Sequence, residues 1–158
     1  MGLYLFCLDS PDSGIKMGSY SSIQQQRVGI LQAYILYLRY QKPKTDNPYD
    51  SALIQVDNRR LGMRLEKCIL KDGDINYKEF LQVKNKVLGG LFHFIYHHDG
   101  NGCWTPFESK LILNVLKRIR RFLPKIPALS YYLDDDHRYF LEDLLETSVH
   151  MHSDIIFA

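Results

Sequence analysis

One stretch leaves the chain little freedom. In residues 105–127, "TPFESKLILNVLKRIRRFLPKIP", Thr105, Pro106 and Glu108 spell a helix start. Thr105 fits the N-cap, Pro106 the first helical position, and Glu108 the third, from which it can reach back. Ile112, Val115, Leu116, Ile119, Phe122 and Leu123 then recur at helical spacing, and Pro124 and Pro127 end the run. Lys117, Arg118, Arg120 and Arg121 lie opposite this stripe, as a solvated face would. A helix with one apolar stripe must be covered by something else in the fold.

The rest of the chain supplies candidates for that cover. Residues 2–9, "GLYLFCLD", read as a strand, and "SPDSG" as the turn after it. A helix follows, with Ser21 or Ser22 as N-cap and Ile23, Val28, Leu31, Tyr34, Ile35 and Leu38 at helical spacing. It should end before Pro43. "QKPKTDNPYD" reads as a polar loop, "SALIQV" fits strand or helix, and "NRRLGMRLEKCIL" reads as a helix. After a "KDGD" turn, Asn76 should cap a further helix, with Glu79 three residues on. "GGLFHFIY" reads as a strand introduced by a double glycine. A last helix carries Phe140, Leu141, Leu144, Leu145 and Val149 on one face, and "DIIFA" closes the sequence as a strand. The expectation is a single α+β domain over 1–158, with a small sheet of three or four strands packed with four or five helices.

Net charge is only +2, but its distribution is uneven. Residues 59–121 hold 13 Lys/Arg against 6 Asp/Glu, and residues 122–158 hold 2 against 7. Ordinary solvated helix faces explain most of this. No stretch approaches about 18 consecutive apolar residues, so no membrane span is expected. The opening residues lack a basic region ahead of a long apolar run, and Phe6 stands where a myristoylation signal wants Ser or Thr. Cys7, Cys68 and Cys103 cannot all pair and have no CxxC spacing, which suits a reduced, cytoplasmic setting.

The reactive residue types concentrate in "HHDGNGCWTPFE", residues 97–108. Set against a calcium-binding EF-hand loop, Asp99, Asn101, Gly102 and Glu108 fall on the expected positions. His97 replaces the first carboxylate, which a hard cation would want as oxygen, and the preceding segment reads as a strand where an EF-hand needs a helix. Asp72 to Phe80 echo the back half of such a loop, but Cys68 and Leu70 occupy its leading ligand positions. The simpler reading is architectural: Asp99-Gly100 and Asn101-Gly102 turn the chain, and Thr105-Pro106-Phe107-Glu108 start the helix. Zinc fits less well, because adjacent His97 and His98 on a strand end would point apart. No metal and no cofactor is favoured.

No nucleotide-binding, nucleophile-elbow or metalloprotease motif occurs. Cys103 near His97 and His98 could form a nucleophile–base pair only through a geometry that sequence adjacency does not supply. The basic run lacks a recognition module, so no nucleic-acid partner is expected. Asp134, Asp135 and Asp136 suit the N-terminus of a helix, where carboxylates complement the dipole.

Four stretches taken together carry a resemblance: "MGLYLFCLD", "GSYSSI", "HHDGNGCWTPFESKLI" and "LLETSVHMHSDIIFA". The chain resembles a group of small, functionally unassigned bacterial proteins with an M-G-L-Y-L start, a G-S-Y turn, an H-x-D-x-x-G-x-W-[ST]-P-x-E junction and a closing strand. His97, Asp99, Gly102, Trp104, Pro106 and Glu108 match the junction in register. Residues 41–88 fall outside the resemblance and read as a family-divergent helical insertion. Proteins of this group are similar in style to the immunity proteins of bacterial toxin systems. That implies a non-enzymatic, cytoplasmic protein whose partner is a cognate toxin, blocked by occlusion of its active site. The oligomeric state stays open. The residues expected to bind a partner are Asp134, Asp135, Asp136, Glu142, Asp143 and Glu146 on the acidic tail, with Tyr131, Tyr132, His97, His98 and Trp104. A calcium module using Asp99, Asn101 and Glu108 is the alternative.

Overall fold

The computed structural model describes residues 3–18, 20–41, 45–83, 88–96, 102–122 and 135–158. Four strands are present among them: β1 (Leu3–Cys7), β2 (Ser10–Gly18), β3 (Cys103–Trp104) and β4 (Ile155–Phe157). They form one antiparallel sheet in the order β2-β1-β4-β3. Six helices accompany it: α1 (Tyr20–Tyr40), α2 (Pro48–Glu66), α3 (Tyr77–Leu81), α4 (Gly90–Ile95), α5 (Pro106–Phe122) and α6 (Asp135–Met151). This is the expected α+β domain.

The sheet joins the two ends of the chain. β4 lies between β1 and β3, so the final residues supply an inner strand. Tyr4 and Ala158 exchange backbone hydrogen bonds of 2.8 and 2.9 Å. Ser153 Oγ accepts from Asp9 N, and the Asp154 carbonyl accepts from Leu8 N, pinning the β1–β2 turn to the tail. That turn is Leu8-Asp9; the segment read as the turn "SPDSG" is already β2. A tight hairpin replaces the expected strand-then-loop.

α1, α5 and α6 cover the sheet. Leu31, Ile35 and Leu38 of α1, Ile112, Leu116 and Ile119 of α5, and Leu141, Leu144 and Leu145 of α6 are buried in one core with Leu5, Ile155 and Phe157. The expected α5 stripe is therefore satisfied by tertiary packing. Ser21 and Ser22 lie inside α1, which already includes Tyr20, so neither is the N-cap. Within 41–88, Leu65, Cys68, Ile75, Phe80 and Val83 are buried in the same core.

Two further readings change. "SALIQV" and "NRRLGMRLE" belong to one helix, α2, with Pro48 at its first position and Asn47 as cap. Asn47 Oδ1 accepts from Tyr49 N at 2.9 Å. "GGLFHFIY" is not a strand but the short helix α4. A brief apolar aromatic run does not distinguish a strand from a buried helix. Gly89 takes φ +56°, and a Cβ on Gly90 would sit 2.1 Å from the Leu111 carbonyl oxygen. The double glycine thus serves a close approach of α4 to α5, not a strand boundary.

Just past the end of α6, His152 takes φ 51° where glycine is usual, and Ser153 N donates to the Ser148 carbonyl at 3.1 Å. His150 is exposed in the last turn, as expected for a residue near the negative end of the helix dipole.

Candidate functional site

The junction from α4 through β3 into α5 is built as a helix start. Glu108 N donates to Thr105 Oγ1 (3.2 Å), and Thr105 N donates back to Glu108 Oε1 (3.4 Å). Thr105 Oγ1 also lies 3.0 Å from that oxygen. The other oxygen, Glu108 Oε2, lies 3.0 Å from His93 Nδ1, and both side chains are partly buried. The capping box is therefore present and is joined to α4 through His93. As a bidentate calcium ligand, Glu108 would have to give up these donors. The helical α4 removes one objection to an EF-hand, but the engaged carboxylate supplies another. His97, His98, Asp99 and Asn101 lie outside the described residues. Among the described residues no cluster of three or more His, Cys, Asp or Glu is placed to hold a metal ion.

Replacing Thr105 with Ala should lower stability by about 1 kcal/mol, because orphan N–H groups at the start of α5 lose their acceptor. A urea titration reads this as a lower midpoint at unchanged slope. An unchanged midpoint would remove the cap from the account.

Trp104 does not belong to a surface. It is 2% exposed, its ring stands edge-on to Phe157 at 4.9 Å, and it stacks near Phe94 at 5.8 Å. Its Nε1 donates to the His93 carbonyl at 3.1 Å. Expected among the partner-binding residues, Trp104 is instead part of the core. Glu142 is corrected in the same way: it is buried and accepts from Arg120.

The acidic and basic halves of the sequence meet across α5 and α6. Arg120 pairs with Glu142, and Lys117 Nζ lies 3.0 Å from Glu146 Oε1. Part of the uneven charge is thus internal complementarity. On the outward side of α6, Asp143 and Glu146 are exposed. Asp135 and Asp136 form the start of this helix. Tyr131, Tyr132 and Asp134 lie outside the described residues.

Residues 68–80 are a self-satisfied turn. Asp74 Oδ1 accepts from Ile75 N (2.8 Å) and from Gln24 Nε2 of α1 (2.9 Å). Tyr77 Oη donates to Gln24 Oε1 at 2.9 Å, and Arg27 Nη1 donates to the same oxygen at 3.0 Å. Asn76 Oδ1 accepts from Glu79 N at 3.2 Å, the expected cap; Asn76 N donates to the Cys68 carbonyl, so the reciprocal half of a box is missing. Burial pushes the Cys68 thiol pKa up, with the Glu79 charge adding to it, which suits an inert core cysteine. Cys7 is buried, and Cys103 faces outward from β3.

Sequence reasoning missed α2. Tyr49, Leu53, Ile54, Val56 and Met63 are all exposed on this one helix. The sequence splits these residues among a polar loop (Tyr49), a strand-or-helix segment (Leu53, Ile54, Val56) and a helix (Met63), so no single exposed face is visible in it.

The chain matches no family model, no curated protein and no solved structure.

Proposed function

We propose that the protein is a non-enzymatic binding protein, of the kind in which a small domain neutralises a cognate bacterial toxin by covering its active site. The observation that carries this reading is the outward acidic stripe of α6, where Asp143 and Glu146 stand in solvent beyond the packed face of Leu141, Leu144 and Leu145. Its ion pair with Lys117 is exposed on both sides, and such a pair holds Glu146 only weakly. A cationic surface on a partner, such as the substrate groove of a nuclease-like toxin, can take its place. Charge of this kind speeds association and selects partners more than it adds affinity. Glu142 and Trp104 contribute by holding α6 and the sheet in position, not by touching the partner.

The test uses the product of the gene encoded next to this one. The protein should co-purify with it and inhibit it at micromolar concentration. The double charge reversal D143K/E146K should slow association by about ten-fold or more at low salt, with a weaker salt dependence. Equal association rates for the two proteins, or no inhibition by the wild type, would end this reading.

A further inference from the structure

Helix α2 has two unlike halves. Its C-terminal half is held to the protein. Gly62 faces Ile35, Leu65 is buried, and Leu61 packs against the core. Glu66 accepts from Arg39 at 2.8 Å, and Arg64 Nη2 donates to the Gln82 carbonyl at 3.1 Å. Toward the N-terminus these attachments run out. In residues 48–60 only Ser51 and Asn58 are partly buried, and every other residue is exposed.

Those two contacts are polar. Ser51 Oγ donates to the Thr45 carbonyl at 3.3 Å, which ties the helix only to the segment just before it. Asn58 works against docking. Its Nδ2 is shut off from solvent and has no hydrogen-bond partner among the described residues. An amide in that state carries a desolvation cost that nothing offsets. Tyr49, Leu53, Ile54 and Val56 already stand in water, so apolar burial contributes little to keeping this half closed.

What remains is the helix itself. Asn47 caps it, and Pro48 suits its first position. Against these stand Asp50, Ile54, Val56, Asp57 and Asn58, none of them a strong helix former. A run this short is marginal as a helix on its own, even in a favourable sequence.

We infer that residues 48–57 open as a unit of their own, hinged at Asn58, while residues 61–66 stay docked. Opening costs the backbone hydrogen bonds of the first turns. It releases Asn58 Nδ2 to water and uncovers no core side chain of α2. The rest of the fold therefore does not need this half to be closed. The arm exchanges between helical and open forms within the native protein. Segments at this low end of local stability are the ones that rearrange when a protein binds or switches. The inference rests on α2 and not on the acidic stripe of α6, so it stands or falls separately from the proposed function.

Amide hydrogen exchange of the full chain, followed residue by residue by NMR, tests it. After correction for intrinsic rates, the amides of residues 52–57 should exchange at least about 100-fold faster than those of residues 64–66. Low urea should leave the fast set unchanged, because its opening exposes little surface, while the buried amides of α5 speed up. N58A should slow the fast set by about ten-fold, and D57A by clearly less. Asn and Asp have similar helix propensities, so the difference between the two variants reads the orphan amide and not the gain from alanine. Equal protection along the whole of α2 would overturn the inference, as would a urea dependence in residues 52–57 matching that of α5. If N58A slows exchange no more than D57A, Asn58 is not the hinge.

Discussion

Trp104→Ala should destabilise the protein by about 3–5 kcal/mol, the largest effect expected of any single substitution at the junction. The side chain fills the space between α4 and the sheet, against Phe94 on one side and Phe157 on the other. Its removal leaves a cavity that short elements on both sides cannot close. The His93 carbonyl also loses its indole donor. Trp104→Phe separates the two losses: it keeps most of the ring contact but not the N–H, and should cost roughly 1–2 kcal/mol. Guanidinium titration followed by far-UV circular dichroism measures both, since the substitution removes the chain's only tryptophan and with it the fluorescence signal. The measurement also decides a role. A docking residue would leave stability near wild type and weaken partner binding; a core residue does the reverse. A loss under about 1 kcal/mol for the alanine variant would contradict the packing.

How much of this was legible beforehand follows from which interactions are local. The start of α5 needs only residues 105–108, all within one turn, and its box is present in the structure. Asn76 is similar: its acceptor and its donor, Glu79 N, are three residues apart. α4 was misread because its evidence is not local. What makes Gly90 necessary is the Leu111 carbonyl, 21 positions away in sequence, and no periodicity in six residues reports that contact. Trp104 and Glu142 were misassigned for the same reason. Each looked available because its partners, Phe157 and Arg120, are distant in the chain. Charge reading carried a related error. The basic run reads as a solvated face, while in the structure Lys117 and Arg120 spend part of its charge on α6. The exposed stripe of α2 was hidden differently: sequence marks residues as apolar, and nothing in it says that no neighbour arrives to cover them.

Removing the final four residues should abolish cooperative folding. β4 is an inner strand, paired with β1 on one edge and β3 on the other, so its loss opens two ladders at once. Ile155 and Phe157 are buried, and each contributes about 1.5–3 kcal/mol by leaving water. Phe157 is also the edge-on partner of Trp104, so the cavity expected from the tryptophan substitution would appear here too. Together with the unpaired backbone of β1, these losses are comparable with the whole stability of a small domain, about 5–15 kcal/mol. The truncated chain should show no sigmoidal thermal transition by circular dichroism and should yield its sheet region rapidly to protease. Removing Ala158 by itself is a sharp control, since it deletes only the exchange with Tyr4 and should cost about 1 kcal/mol. A further contrast lies within the strand. Ile155→Thr places a hydroxyl in the core, whereas Ile156→Thr alters a half-buried side chain, so the first should cost clearly more than the second. Equal costs would mean that β4 does not present alternate faces to core and surface, and a cooperative transition in the truncated chain would mean that the sheet closes without it. Because β4 pairs with β1, the sheet depends on contacts of very large sequence separation, and folding should be slow for a domain this helical.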